Sequence, residues 1–317
     1  MLSKAPRGTK DITPKDVYKW HYIEKKFREI CALYGYEEIR TPIFEHTEVF
    51  SRSVGDTTDV VQKEMYTFTD RGDRQLSLKP EGTAGVIRSF IENKMYADTQ
   101  PTKLYYITPC FRYERPQAGR QRQFHQFGIE VLGSDGPSVD AEVISLAVQF
   151  FNEMGLKNLS VNINSVGCPT CREEYNRKLK EYLDKKVDVL CETCLERKDK
   201  NPMRVIDCKN PHCKENLQDI PFMIDHLCEG CKDHFDKLQT YLKEMDINYV
   251  VDKTIVRGLD YYKKTAFEII SNDIGSQSTV CGGGRYDGLV EMLGGPKGIS
   301  VIGFALGAER LLLTLEN

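Results

Sequence analysis

Eight of the eleven cysteines in this 317-residue chain fall between residues 166 and 232; the other three, Cys31, Cys110 and Cys281, lie outside. The eight come as pairs: Cys168-x2-Cys171, Cys191-x2-Cys194, Cys208-x4-Cys213 and Cys228-x2-Cys231. Thiolates at such spacings bind zinc, and two CxxC pairs separated by 19 residues match the interval of a four-thiolate site. The spacing predicts one site from Cys168, Cys171, Cys191 and Cys194, and a looser second from Cys208, Cys213, Cys228 and Cys231. A disulfide framework is disfavoured, because no signal peptide precedes the pattern and cytosolic thiols are kept reduced. Packed thiols without metal are the other alternative. An ion closed in by four thiolates has no position left for water or substrate, so these cysteines are expected to fold a module rather than to catalyse.

Chemistry has to come from elsewhere, and the arginines are the first candidates. Arg112, Arg115, Arg120 and Arg122 crowd into "FRYERPQAGRQRQFHQFGIE" together with Glu114, and Gly119 allows a turn between two strand-like flanks. Such a hairpin could offer cations to phosphate, since the guanidinium fork pairs bidentately with phosphate oxygens and stays charged when buried. Arg257 in "RGLDYY" and Arg310 in "GFALGAERLLL" each stand near glycine in apolar surroundings. A buried arginine there needs an anion, and a ligand phosphate or carboxylate can serve. "CGGGRYDGL" carries Gly282, Gly283 and Gly284, which let a backbone approach a ligand closely, but it matches neither a phosphate loop nor a dinucleotide fingerprint. "LKPEGTAG" sets Glu81 and Thr83 in a turn before a helix, a hold for a cationic amine or simply a cap. There is no GxSxG elbow and no HExxH, and Cys31, Cys110 and Cys281 are expected to pack as small apolar side chains.

These residues need a scaffold. Residues 13–35 have the apolar period of a helix, with Thr13 as cap, Pro14 in the first turn, Trp20, Ile23, Phe27, Ile30 and Tyr34 on one face, and Gly35 as terminator. From 36 to 165, stretches such as "KLYYITPCFRY", "FGIEVLG" and "LSVNINS" read as strands, with helices over 82–95 and 138–155. Residues 170–248 turn rich in Lys, Glu and Cys with helical stretches, and strand patterns resume in "INYVVDKTIVRGLDYY" and "TAFEIIS". The simplest parse is one catalytic core, 1–165 and 250–317, around an inserted cysteine-rich domain, 166–249. With 40% hydrophobic and 29% charged residues the composition is that of a soluble protein, and a net charge of −3 argues against diffuse polyanion binding. No stretch is apolar for long enough to span a membrane, so a cytoplasmic protein is expected.

Taken in order, "PRGTKD", "PIFEHTEVFSRSVGDTTDVVQKEMYTF", "FRYERPQAGRQRQFHQFGIEVLG", "RGLDYYKKTAFEI", "GGGRYDGL" and "GFALGAERLLL" resemble the successive signatures of the catalytic part of histidyl-tRNA synthetases, which are class II aminoacyl-tRNA synthetases. The resemblance implies an α+β fold, an antiparallel sheet flanked by helices, and a homodimer interface around Pro42. It implies ATP- and Mg-dependent activation of L-histidine, then transfer to the 3' end of its tRNA. By the same resemblance Arg112 and Arg310 grip the ATP phosphates, Phe124 stacks on adenine and Glu114 helps hold the nucleotide. Glu81, Thr83 and Gln126 meet the histidine ammonium, Glu130 and Tyr262 read the imidazole, and Tyr261 also belongs to the histidine-binding set. Arg257 lies between the substrate carboxylate and the α-phosphate as the catalytic cation. Arg115, Gln117 and Arg120 meet the tRNA acceptor end, Arg120 also reaching ATP. The resemblance does not supply zinc, which rests on cysteine spacing alone. Family members continue into an anticodon-binding domain of about a hundred residues, whereas this chain stops at Asn317. Two other readings stand beside the ligase. One is the synthetase-like regulatory subunit of ATP phosphoribosyltransferase, which generally lacks the ATP and tRNA loop residues found here. The other is a zinc-built nucleic-acid-binding module, which uses only residues 166–232 and leaves the other signatures unexplained.

Overall fold

The computed structural model describes residues 4–55, 58, 60–257, 261–271 and 279–316; the middle of "RGLDYY", residues 258–260, lies outside them. Helix α1 (Val17–Leu33) buries Trp20, Ile23, Phe27 and Ile30 at the predicted spacing. It starts later than the sequence suggests, because the amides of Asp16 and Val17 both donate to the Thr13 carbonyl and make residues 13–16 a turn. Strands β1 (Glu37–Glu38) and β2 (Phe44–His46), helix α2 (Thr47–Val54), strands β3 (Thr67–Thr69) and β4 (Gln75–Leu78) and helix α3 (Thr83–Glu92) follow. Next come β5 (Thr102–Phe111), β6 (Gln123–Leu132), α4 (Pro137–Glu153) and β7 (Leu159–Ser165). The chain then runs through α5 (Pro169–Asp184), α6 (Glu192–Lys200), α7 (Pro211–Asn216) and α8 (Glu229–Glu244) without a strand. It returns with β8 (Tyr249–Val251), β9 (Lys263–Ser271), β10 (Thr279–Arg285), α9 (Leu289–Met292), β11 (Val301–Gly307) and α10 (Ala308–Glu316).

The main sheet has the order β1-β5-β6-β11-β10-β9-β7-β8, and β2-β4-β3 form a small second sheet. The six central strands pair antiparallel, as expected, while the short edge strands β1 and β8 pair parallel. Side-chain alternation sorts the faces. On β6, Phe127, Ile129 and Val131 enter the core with α1 and α4, and Leu132 joins the opposite cluster with Leu104 and Tyr106. Phe27 packs against Phe127 and Phe150, with ring centroids 5.2 and 5.3 Å away. Burial of each such ring contributes about 1.5–3 kcal/mol.

The strandless segment does not hang free at its end, for Phe235, Leu238 and Leu242 of α8 enter the same core as α1 and α4. Above them His234 Nε2 lies 2.8 Å from Asp140 Oδ2 on α4. Asp140 also accepts from Arg285 Nε at 3.1 Å and from the Thr265 hydroxyl. All four side chains are buried, so Arg285, the cation after the glycine run, is spent on the interior and not on a ligand. Burial pushes the Asp140 carboxyl up, but the His234 hydrogen bond and the Arg285 charge outweigh it and hold the pKa below the ordinary value. A carboxylate with a lowered folded pKa adds stability above its unfolded pKa, about 4, and loses it as pH falls through the folded value. Asp140→Asn should therefore cost about 3–5 kcal/mol near neutrality, with a deficit that shrinks below about pH 4, as read from urea midpoints across pH.

Candidate active site and metal centres

Tyr106, Gly128, Ala305, Gly282 and Glu268 stand opposite one another across β5, β6, β11, β10 and β9. Directly opposed residues of antiparallel strands share a face. The Tyr106 ring covers Gly128, and over Ala305, Gly282 and Glu268 a cavity of about 660 Å³ opens on this face of the sheet. That volume suits a ligand of drug or nucleotide size. A Cβ on Gly128 would sit 2.3 Å from the Tyr106 ring, and one on Gly282 would sit 2.6 Å from Arg257 Nη2. Gly282 thus makes room for Arg257 in the cavity wall, and Gly128 for the buried Tyr106 ring.

One end of the cavity is acidic and aromatic. Glu81 accepts from the amides of Thr83 and Ala84 at the start of α3, each at 2.8 Å, and Gln126 Oε1 accepts from the Gly82 amide at 2.8 Å. Burial pushes the Glu81 carboxyl up against the pull of those amides. Behind it, Glu130 Oε1 accepts from the Tyr106 hydroxyl at 3.4 Å, while its Oε2 is buried without a partner. Burial drives the Glu130 pKa well above the ordinary value; the Thr83 hydroxyl pulls the other way and the Glu81 charge adds to the rise. The rings of Tyr261, Tyr262 and Tyr286 cluster alongside, with centroids 4.8–5.7 Å apart. A buried acid with an unmet oxygen beside aromatic rings suits a ligand carrying N–H groups or positive charge.

The other end is cationic. Arg112 Nε donates to the Pro80 carbonyl at 2.8 Å, which holds its guanidinium 5.4 Å from the Phe124 ring centroid. Glu114 lies between two arginines, 3.1 Å from Arg120 Nη1 and 3.8 Å from Arg112 Nη1. Arg310 Nη1 donates to the Thr279 carbonyl at 2.6 Å, and burial together with Arg120 lowers its pKa. Arg257 Nη1 reaches Glu268 Oε1 at 2.6 Å and lies 5.1 Å from the Tyr262 ring centroid. Burial works against the Arg257 charge, but Tyr262 and Glu268 more than offset it. Cations fixed by backbone carbonyls and single carboxylates can accept phosphate without first rearranging.

All five residues assigned to the nucleotide line this one cavity, and so do Glu81, Thr83, Gln126, Arg257, Tyr261 and Tyr262. Glu130 stands behind the wall, and Arg115 and Gln117 are exposed on the turn between β5 and β6. Sequence reasoning missed Glu268, Glu309, Arg204, Asp207 and Lys209, which also face the cavity. A lone acid inside the strand pattern "TAFEIIS" was a usable signal for Glu268. Glu309 Oε2 accepts from the His125 amide at 2.9 Å, and it sat next to Arg310 in a recognised motif. For Arg204, Asp207 and Lys209 no local signal existed, since they arrive from the strandless segment.

The cysteines form two quartets, each able to hold a metal ion, with all four Sγ atoms of each within 4.8 Å of one another. Their membership corrects the sequence expectation: Cys168 and Cys171 join Cys228 and Cys231, and Cys191 and Cys194 join Cys208 and Cys213. The pairs nest instead of following in order. Cys168 and Cys228 cap α5 and α8, with Cys171 and Cys231 one turn further on, so two helix starts meet at the base of the segment. Cys168 Sγ lies 3.7 Å from Cys228 Sγ, and within the inner quartet Cys191 Sγ lies 3.8 Å from Cys208 Sγ. Burial raises the Cys168 and Cys191 thiols, but hydrogen bonds inside each quartet prevail and bring them down to about 6 and about 7. Cys31, Cys110 and Cys281 are buried free thiols, as expected for packing residues, and burial pushes Cys110 up to about 12.

An antiparallel sheet bearing such a cavity is the catalytic fold of class II aminoacyl-tRNA synthetases. The family model described as "Histidyl-tRNA synthetase" matches residues 8–311. A histidine–tRNA ligase from Clostridioides difficile (strain 630) is 81% identical over the whole chain, which spans 76% of that relative. One from Caldanaerobacter subterraneus subsp. tengcongensis is 59% identical at the same coverage. Among solved structures, apo S. aureus histidyl-tRNA synthetase superposes with a TM-score of 0.81 at 44% identity, covering 99% of this chain and 73% of that one. A Bacillus halodurans C protein titled an ATP phosphoribosyltransferase regulatory subunit/histidyl-tRNA synthetase reaches a TM-score of 0.72 at 23% identity, covering 100% of this chain and 84% of that one, a likeness of fold alone. The chain belongs to the histidyl-tRNA synthetase family. No helix among the described residues is long and apolar enough to cross a membrane.

The raised pKa of Glu130 carries a stability cost with a definite sign. An acid whose folded pKa exceeds its unfolded value, about 4.3, destabilises the fold increasingly as pH rises between the two. Glu130→Gln removes that cost, so its stability relative to the parent should improve from about pH 5 to about pH 8 in urea titrations. An equal difference at both would refute the assignment.

Proposed function

We propose that the chain is a histidine–tRNA ligase: it activates L-histidine with ATP to histidyl-adenylate and transfers the histidyl group to the 3' end of its tRNA. The observation that carries this reading is that one cavity is lined both by Glu81, Thr83, Gln126 and the rings of Tyr261 and Tyr262 and by Arg112, Arg120 and Arg310, with Arg257 lying 5.1 Å from the Tyr262 ring. In the first step a histidine carboxylate oxygen bonds to the α-phosphorus as the bond to the bridging oxygen breaks and pyrophosphate leaves. Arg257 would balance charge between carboxylate and phosphate, with Arg112, Arg120 and Arg310 on the phosphates, Glu114 supporting them, and Phe124 beneath the base. Glu81, Thr83 and Gln126 would meet the ammonium, and Glu130 and Tyr262 the imidazole, whose two nitrogens require polar partners, with Tyr261 in the same histidine-binding set. In the second step the terminal ribose hydroxyl of the tRNA attacks the adenylate carbonyl and AMP departs, with Arg115 and Gln117 on the exposed turn meeting the acceptor strand.

Glu114 and Glu268 put hard oxygen donors among these arginines, a set that fits magnesium held jointly with nucleotide phosphates. When bound, magnesium would neutralise phosphate charge. The four-thiolate quartets suit zinc. We assign residues 1–165 and 250–317 to the catalytic core and 166–249 to the inserted domain, and expect the protein to work in the cytoplasm. A homodimer through the small sheet is favoured by the exposed side chains of Ile43, Phe44 and Phe68 around Pro42.

The alternative, a regulatory subunit of ATP phosphoribosyltransferase, shares the fold but has no use for a complete set of nucleotide-binding cations. Exchange of pyrophosphate into ATP that depends on histidine, and on no other amino acid, is the expected result. Absence of exchange in folded protein that still binds histidine would favour the regulatory reading. Arg257→Ala should lower the exchange kcat by about 100-fold or more while changing the histidine and ATP KM values far less. A change in KM alone, with normal turnover, would refute the role of Arg257.

A further inference from the structure

The inner quartet is not simply a second copy of the outer one. The outer quartet lies at the base of the strandless segment, where Cys168 follows β7 and Cys228 caps a helix that packs on the core. The inner quartet organises residues 191–213, whose interior is nearly all sulfur. The buried residues of that stretch are Cys194, Met203, Val205, Cys208 and Cys213, three of the five being cysteines. α6 has nine residues and α7 six, lengths that do not sustain a helix by themselves. The five buried residues join the apolar cluster that holds Leu179 and Leu183 of α5, and a metal would add the cross-link that two such short helices lack.

What this stretch carries bears on the ligand. Arg204, Asp207 and Lys209 line the large cavity, and Asp207 and Lys209 are the immediate sequence neighbours of Cys208. The Cys208 sulfur accepts from the Asn210 amide at 3.4 Å, and the Cys208 amide donates to the Val205 carbonyl at 3.1 Å. The backbone between Arg204 and Asn210 is therefore shaped around the quartet. On its far side the same stretch meets Gln62 and Lys63 across a smaller cavity of about 220 Å³, bordered by Glu192, Glu196 and Lys200 of α6.

We propose that Cys191, Cys194, Cys208 and Cys213 bind one zinc ion that holds Arg204 and Lys209 in the cavity wall, where they add charge to the ATP-phosphate site, so that occupancy of this ion sets nucleotide affinity. The proposal rests on the ligase reading for the identity of the nucleotide. The ion is structural, since four thiolates leave it no open position, and Arg204 and Lys209 are positioning residues for the triphosphate.

Zinc analysis of freshly purified, reduced protein should give two ions per chain, and Cys191→Ser/Cys194→Ser should give one. That variant should raise the ATP KM in histidine-dependent exchange by about tenfold, equivalent to about 1.4 kcal/mol, and leave the histidine KM in place. Arg204→Ala/Lys209→Ala keeps every cysteine and covers the case in which the cysteine variant fails to fold. It should retain two zinc ions and show the same rise in ATP KM. A cysteine variant that still holds two ions, or an ATP KM unmoved in the Arg204/Lys209 variant, would overturn the proposal. Equilibrium binding of ATP by the same proteins needs no turnover, so it tests this wall even if the parent protein were to exchange no pyrophosphate, the outcome that would count against the ligase reading instead.

Discussion

The buried carboxylate of Asp140 is the interaction on which most of the architecture depends. It joins α4 to Arg285 at the end of β10, to Thr265 on β9 and to His234 on α8, four elements spread over more than a hundred residues of sequence. An isolated charge in that interior would be prohibitive, and it persists because the Arg285 guanidinium, an imidazole and a hydroxyl surround it. The result is geometric: the glycine-rich strand that floors the cavity and the helix that ends the strandless segment are pinned to one point. The main sheet and the cysteine-bearing segment therefore keep a fixed relation at their junction.

From that anchoring the cavity follows with few further assumptions. Ala305 and Gly282 in register leave the middle of the sheet without long side chains, Glu268 lines the hollow beside them, and the Tyr106 ring covers Gly128 behind it. The walls then divide by charge. Glu81 and Glu130 sit where burial disfavours their ionisation and where an incoming cation or N–H donor would relieve it. The arginines at the far end are each tied to a carbonyl or a carboxylate, which orients them.

Much of this could be read from the amino-acid sequence, and the failures have physical causes. Arg112, Glu114, Arg257 and Arg310 stood in strings whose glycines and alternation already implied strands and tight turns, so their convergence was foreseeable. The helices around Phe27 and Phe150 announced themselves by apolar period. The partnering of the cysteines did not, because CxxC spacing fixes which thiols are close along a helix start but not which helix starts meet in space. Pairing adjacent motifs was the economical guess; the packing of α8 back onto the core brings Cys228 and Cys231 to the base instead. Glu268 was hidden for a different reason, since a single acid in a strand is visible only once the face it occupies is known. Arg204 and Lys209 depended wholly on tertiary placement.

The nesting of the two quartets also imposes an order of assembly. The inner site closes a loop in which Cys191 and Cys208 are 17 residues apart, whereas the outer site must bring together Cys168 and Cys228, 60 residues apart. The shorter loop costs less chain entropy to close, and in vectorial synthesis its last ligand, Cys213, leaves the ribosome before Cys228 does. The tip of the segment can therefore acquire its shape while the second half of the sheet is still unmade. The outer quartet closes only when α8 arrives, just ahead of the strands that complete the sheet, so a single late event joins the segment to the core.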